Sequence, residues 1–574
     1  MQGKGADMES AAHTNRVAIV GAGLAGLVAA AELLDRGISV TVYDQEGPAN
    51  LGGQAHWSFG GLFLVDSPEQ RRLGVKDSRE LAGDDWAATA GFDRDEDEDA
   101  RAWAENYLDF AAGEKRAWLH GLGVRFFPVV GWAERGPDRA MGNSVPRFHI
   151  VWGTGPGIVA PFVERLQRGI AEGRAHYRPR HRVTDLLTEG GRVTGIHGER
   201  LEADDAPRGE ASNRTVIGEF SHHADAVLIA TGGIGGNPEL VRAAWPERLG
   251  APPAHMLAGV PAHVDGAGLG IAERAGAQLV NGDRMWHYTE GIINHSPVWD
   301  QHGIRILPGP SSLWLDATGQ RLPATALPGF DTLGALEELR KTGHDHSWFV
   351  LTQKIIEKEF ALSGSEQNPD LTNKDLRLLL QRLGSGAPGP VQAFQDRGVD
   401  FVTASDPETL AQRMLELDTE DGQGTALDPS AVVAAIRDRD QAFQDPLSSD
   451  PQVAAVREAR KYLGDKLIRT AAPHALTDPK AGPMIAVRLH LVTRKSLGGI
   501  RTAQSGAVRG TDGALISGLY AAGEASGFGG GGVHGFRALE GTFLGGCLFT
   551  GRTAGRSIAD ALEPRQGARA DAIQ

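Results

Sequence analysis

Apolar positions along this chain fall into short unbroken runs and longer helical stripes, and their order predicts an architecture. Val17-Ala18-Ile19-Val20 is a continuous apolar run, followed by the turn Gly21-Ala22-Gly23-Leu24-Ala25-Gly26 and an Ala/Leu-rich helical stretch. A second run, Ile38 to Tyr43, ends at Asp44. Unbroken runs of this kind suit strands buried on both faces. Residues 101 to 120 carry an amphipathic helical stripe, and the acidic run Asp93 to Asp99 reads as its solvated approach. Pro156-Gly157 leads into a helix over Ile158 to Gly169. The period then drops to two: His181 to Leu187, Arg192 to Gly198 and Thr215 to Phe220 predict an antiparallel meander, broken by the polar loop Glu202 to Asn213. Ala226 to Ala230 is again a fully apolar strand, expected to rejoin the parallel sheet, and a helix is expected from Ala267 to Ala275.

From about Gln278 the pattern changes. The stretch to roughly Pro483 holds the aromatic-rich Met285-Trp286-His287-Tyr288-Thr289, the proline-rich Ile306 to Leu315 and several helical segments. Gly384 to Pro390 and Asp418 to Gly424 read as exposed connections. Near the C-terminus the strand Gly518 to Ala522 runs into Gly523-Glu524, then Gly529 to Gly532, then Leu544-Gly545-Gly546 opening an apolar helix.

The glycine turn after the first strand has specific chemistry. Gly21 allows the tight turn, Gly23 lets the backbone approach a pyrophosphate, and Gly26 allows close helix packing with the helix N-terminus facing the phosphates. Asp44, about 20 residues on, would accept hydrogen bonds from a ribose hydroxyl, and Gln45 follows it. A site begun here and finished near Glu524 points to FAD rather than to a simple NAD module. Leu24 and Ala25 belong to the same turn. The loop Gly52, Gly53, Gln54, Ser58, Gly60 and Gly61 would lie against a flavin, and Ala230, Thr231 and Gly232 would sit beside the pyrophosphate. Val183 on the meander is a further expected contact, and Asp265 either touches the cofactor or caps the following helix. In the C-terminal block, Glu524 would reach a ribityl hydroxyl or the flavin loop, and Gly523 precedes it. The glycines at 529 to 532 would make room for a flat ring. The helix start at Gly541, Thr542, Phe543 and Leu544 would stabilise negative charge on a reduced flavin.

The expected fold is therefore α/β: a Rossmann-like FAD-binding domain of parallel sheet plus meander, from residues 15–277 and 483–562, with an inserted α+β substrate or capping domain at 278–482. Residues 1–14 read as a flexible extension and 563–574 as a tail. The cleft between the two units is the natural place for a substrate.

Composition narrows the function classes. Over 574 residues the net charge is −15, with no basic face to suggest a nucleic-acid partner. No apolar stretch reaches the roughly 18 residues of a membrane span, and Met1 to Asn15 lacks a signal pattern, so a cytoplasmic enzyme is expected. The single cysteine, Cys547, excludes an intrachain disulfide and falls in an apolar run, where it reads as a structural thiol. No metal-ligand spacing stands out. No second GxGxxG follows a strand, so electrons are expected to reach or leave FAD through another, unidentified carrier.

The GxGxxG, the Ala-Thr-Gly-Gly turn, Ser496-Leu497-Gly498-Gly499-Ile500-Arg501-Thr502 and the C-terminal glycine block together resemble the FAD-binding dehydrogenases of the fumarate reductase and 3-ketosteroid Δ1-dehydrogenase superfamily. The resemblance covers Asn15 to Ala275 and Pro483 to Leu562 and is thinner between them. It implies noncovalent FAD and a reaction at a C–C bond, with hydride moving between a substrate carbon and the flavin while a protein group handles the neighbouring proton. Trp286-His287-Tyr288-Thr289 resembles the fumarate reductases' His-Pro-Thr motif. Pro323 to Gly329 has no arginine where that family carries a proton donor, and Lys495 stands where a substrate-binding histidine is common. His534-Gly535-Phe536-Arg537 resembles their C-terminal histidine and arginine with the spacing one residue shorter.

Ketosteroid dehydrogenases instead use tyrosines. Of the six here, Tyr43 reads as structural, Tyr177 as exposed in a basic loop, Tyr107 and Tyr462 as helical packing residues, and Tyr520 as a strand residue. Tyr288 with His287 is the leading pair for proton transfer, and Arg537, His534 and Lys495 are candidates for binding a carbonyl or carboxylate. The expected reaction is desaturation of a hydrophobic ketone, steroid-like in the leading reading. Its alternatives are fumarate-reductase-like reduction of small unsaturated acids, a flavin-binding redox sensor, and an amine or alcohol oxidase. Substrate, direction and oligomeric state stay open.

Overall fold

The computed structural model describes residues 16–136, 141–382, 386–420 and 426–563. The expected N-terminal extension, the tail from 564, and parts of the 384–390 and 418–424 connections lie outside the described residues. The first sheet has the strand order Ala507–Arg509, Leu515–Ala521, Ala226–Ile229, Val17–Val20, Val40–Tyr43, Ala175–Arg178. All neighbours are parallel except the edge strand Ala507–Arg509. Each residue of Val17–Val20 is buried, as the unbroken apolar run requires.

The helices Leu24–Asp35 and Thr542–Leu562 pack side by side over this sheet. A side chain at Gly551 would collide with Ala25, and one at Gly555 would press on the backbone of Ala29 and on Glu32. The matched steps of four show that the two helices run in the same direction. Thr542 is nine residues before Gly551 and Leu24 one residue before Ala25, so the later helix begins about 12 Å earlier along that direction and its N-terminus projects beyond that of the first. The meander forms as expected, from His181–Glu189, Arg192–Leu201 and Val216–His223, and Phe220 stacks on Tyr43 with ring centroids 5.3 Å apart.

The second large sheet has eight strands. Its spine is Met484–Ser496, which pairs antiparallel with Met285–Ile293, His346–Thr352 and Phe401–Ala404. That strand lies on the C-terminal side of the sequence boundary at 483, and it is long enough to enter the first unit's territory at Ser496. Among the described residues no helix is long and apolar enough to cross a membrane.

Four local expectations are corrected. The stripe over 101 to 120 is two helices, Asp97–Ala112 and Lys115–Gly121, separated at Gly113. The acidic run before it is not all solvated: Asp97 and Asp99 are buried. Asp97 accepts from Arg284 (2.8 Å) and Asn281 (3.0 Å), and Asp99 from Arg501 (2.7 Å) and Arg509 (2.8 Å). Buried acids need such partners, and these lie at least 180 residues away in the chain. Tyr177 lies on the edge strand Ala175–Arg178, half-buried, and Tyr462 precedes the helix Leu463–Ile468 and donates to the Val130 carbonyl (2.7 Å).

Candidate active site

One partly open cavity runs between the two sheets. Its wall contains Gly21, Gly23, Leu24, Ala25, Asp44, Gln45, Gly52, Gly53, Gln54, Ser58, Gly60, Gly61, Val183, Ala230, Thr231, Gly232, Asp265, Gly523, Glu524, Gly541, Phe543 and Leu544. Gly26 and Thr542 do not line it. Gly26 instead sits against the Gly21 carbonyl and Ile19, the close helix–strand contact expected of it.

The local geometry suits a dinucleotide. Neither helix flanking the cavity has a side-chain cap or an acid in its first turn, so both offer free backbone N–H groups to an anion. Beside Gly23 an added side chain would meet only the Ala230 carbonyl, at 3.9 Å, which leaves open space along the backbone. Thr231 Oγ1 is buried without a hydrogen-bond partner. Asp44 accepts from the N–H groups of Ala22 and Glu46, both at 2.8 Å, and burial pushes its carboxyl above the usual range. Asp265 lines the cavity and also accepts from Ala267 N–H (2.9 Å) at the helix start, so capping does not exclude its facing a ligand. Glu524 is held by Ser496 N–H (2.8 Å) and Gln54 Nε2 (2.9 Å), with burial raising its carboxyl.

The four glycines at 529 to 532 are placed differently from the expectation. They do not line the cavity. Side chains there would strike Trp103, Ala100, Val280 and Asn281, so their purpose is close packing of the loop on neighbouring elements. Cys547 is half-buried on the cavity wall, its thiol pushed up to about 12 by burial.

At the other end of the cavity the strands Met285–Ile293 and Met484–Ser496 deliver Tyr288 and Lys495. The Tyr288 hydroxyl donates to Glu540 Oε1 (3.0 Å), and Lys495 Nζ donates to the Tyr288 oxygen (3.3 Å). The Arg305 guanidinium lies 3.8 Å from the Tyr288 ring centroid and donates to Glu540 (2.7 Å). Burial, reinforced by Arg494, brings the Lys495 ammonium down to about 7. Burial and the neighbouring Glu540 charge hold the Tyr288 phenol well above its usual value.

His287, His534 and Arg537 do not line the cavity. Strand alternation turns His287 to the opposite face from Tyr288, against Trp245 with ring centroids 4.9 Å apart. His534 is stacked on Trp86 and its Nε2 meets Thr542 Oγ1 (2.9 Å). Arg537 is held by Asp331 (3.0 Å) and Glu337 (3.5 Å). The loop is pinned in this orientation by Phe536 N–H donating to the Ala90 carbonyl (2.7 Å). Sequence reasoning missed Glu540, Arg305 and Arg494, which do line the cavity. Glu540 had a local signal, standing directly before the helix-starting Gly541; Arg305 had none.

The FAD binding domain family matches residues 16–544. A KsdD-like steroid dehydrogenase of Mycobacterium tuberculosis is 60% identical over 545 residues, covering 94% of this chain and 95% of that protein. One from Mycolicibacterium smegmatis is 59% identical, covering 95% and 98%. The solved 3-ketosteroid Δ1-dehydrogenase of Sterolibacterium denitrificans, 17% identical, shares the fold with a TM-score of 0.66 over 96% of this chain and 100% of that one. The cofactor is FAD, and this chain belongs to the FAD binding domain family and, within it, to the KsdD-like steroid dehydrogenases.

Proposed function

We propose that this protein is an FAD-dependent dehydrogenase that removes hydrogen from two adjacent carbons beside a ketone, with a steroid-like ketone as substrate. The observation that carries this reading is the buried Tyr288–Lys495 pair at one end of the cavity, opposite the glycine turn. The name of relatives at 60% identity, KsdD-like steroid dehydrogenase, supports the substrate class.

The residues divide the work as follows. The N-terminus at Gly23 would take the pyrophosphate, Asp44 the ribose, and the N-terminus at Gly541, which projects about 12 Å beyond the one at Gly23, the electron-rich edge of the ring system. Bound FAD supplies a two-electron oxidant that accepts hydride. Tyr288 receives the proton from the carbon next to the carbonyl. Lys495, charged below about pH 7, and Arg494 donate hydrogen bonds to the carbonyl oxygen, acidifying that proton. The apolar walls Leu307, Phe528 and Phe543 exclude water from the reacting carbons.

The test is anaerobic stopped-flow absorbance. Mixing the oxidised protein with 3-ketosteroids and cyclic ketones should bleach the flavin. Failure there, with reoxidation of the reduced protein by fumarate or related acids, would replace the reading by an unsaturated-acid reductase.

A further inference from the structure

One carboxylate at the substrate end gathers the donors around it. Glu540 Oε1 accepts from Arg305 Nη1 (2.7 Å), the Tyr288 hydroxyl (3.0 Å) and Trp286 Nε1 (3.4 Å). Two more buried carboxyl groups, Glu290 and Glu134, lie 3.7 and 3.8 Å from Arg305. Arg494 and Lys495 complete the charges facing this corner. One guanidinium thus stands among three acids, and its shortest contact selects Glu540 as the ionised one. Burial opposes that charge, but Arg305 and Lys495 outweigh it and hold the Glu540 carboxyl below the usual range. Glu134, bonded to Thr332, is pushed up to about 8 by burial and stays protonated at neutral pH.

This arrangement bears on how Tyr288 can accept a proton at all. Its phenol is held well above its ordinary value, so a preformed phenolate is not available. Its own proton is already directed at Glu540. A neutral tyrosine can take a proton only if its first one leaves at the same time.

Building on the dehydrogenation reading above, we propose that Glu540 acts through Tyr288 as the final proton acceptor of the reaction. The substrate C–H bond breaks and its proton bonds to the Tyr288 oxygen, while the phenolic proton crosses the 3.0 Å to Glu540 Oε1. The electron pair of the broken C–H bond becomes the second bond of the C=C as the adjacent carbon gives hydride to oxidised FAD. Tyr288 ends neutral and Glu540 ends as a carboxylic acid. Glu540 is in this sense a positioning residue for Tyr288 that also holds the proton.

The experiment uses the FAD-loaded full chain and the variants Glu540→Gln, Glu540→Asp and Lys495→Met, each checked for flavin content and melting temperature. Glu540→Gln should slow anaerobic flavin reduction by a 3-ketosteroid about 10²–10⁴-fold with ketone affinity little changed, and Glu540→Asp should recover much of the loss. The solvent deuterium effect on wild-type reduction, which reports the phenolic proton, should vanish in Glu540→Gln. Near-wild-type reduction by Glu540→Gln, or the same loss in Lys495→Met with Glu540→Gln unaffected, overturns the proposal. A substrate-free arm titrates Tyr288 by ultraviolet difference against Tyr288→Phe. Loss of the Glu540 charge should move its ionisation to lower pH, and an unchanged titration also overturns the proposal. Wild-type flavin that no ketone bleaches counts against the dehydrogenation reading, while the titration still decides on the Glu540–Tyr288 couple.

Discussion

The two ends of the cavity are built from different materials. At the glycine end the working groups are backbone N–H donors and the space left by missing side chains: Gly21, Gly23, Gly52 and the uncapped helix start at Leu24. At the substrate end they are long side chains, Tyr288, Arg305, Arg494, Lys495 and Glu540, carried by separate strands and one loop. Backbone recognition depends on local conformation and tolerates few substitutions. Side-chain recognition depends on tertiary placement, and it tunes charge through burial, as the lowered Lys495 shows.

If the ends are separable, damage to one should spare the other. The largest test is Tyr288→Phe, expected to slow flavin reduction about 10²–10⁴-fold with the flavin spectrum and content unchanged. A parallel loss of FAD would break the separation. Next, Asp97→Ala leaves the fully buried Arg284 without its main partner. Denaturant unfolding should show a loss of about 3–5 kcal/mol, a cost borne by the scaffold common to both ends.

Lys495 sharpens the comparison through pH. It is charged below about 7 and neutral above, so ketone affinity should weaken as pH rises through that value. Losing a charged hydrogen bond should cost about 1.5–3 kcal/mol. In Lys495→Met, equilibrium titration should find affinity weak and flat with pH. At the glycine end, Gly21→Ala forces a side chain into φ +105° against the Ala230 carbonyl. Strain of about 1–3 kcal/mol should appear as flavin lost on desalting.

His287 faces neither end, so its effect falls on stability alone. Burial lowers its imidazole to about 4, so the unfolded chain binds a proton below about 6.5 that the folded chain refuses. Stability should therefore fall as pH drops from about 6.5 to 4, by up to about 1.4 kcal/mol per pH unit. His287→Leu should blunt that acid loss in thermal melts and leave flavin reduction unchanged.

The same division explains what could be read in advance. The strand, turn, helix, strand and acid from Val17 to Asp44 are contiguous, so local rules reach them, and the meander followed from its alternation. Glu540, Arg305 and Arg494 come together across hundreds of residues, and no local pattern marks Arg305. The Gly529 to Gly532 run misled for a related reason: glycine permits close approach without saying to what, and here the neighbours are Trp103 and Asn281 rather than the cavity.

What the sequence determined by itself was the parallel-sheet scaffold, the dinucleotide turn and the cofactor class, because each rests on contiguous backbone requirements. Only the tertiary structure decided which charged side chains meet. It turned His287 away and Tyr288 inward by strand alternation, tied Arg537 to Asp331, and set Glu540 between Tyr288 and Arg305. Those outcomes depend on register and on burial shared by distant segments, quantities that local sequence does not contain.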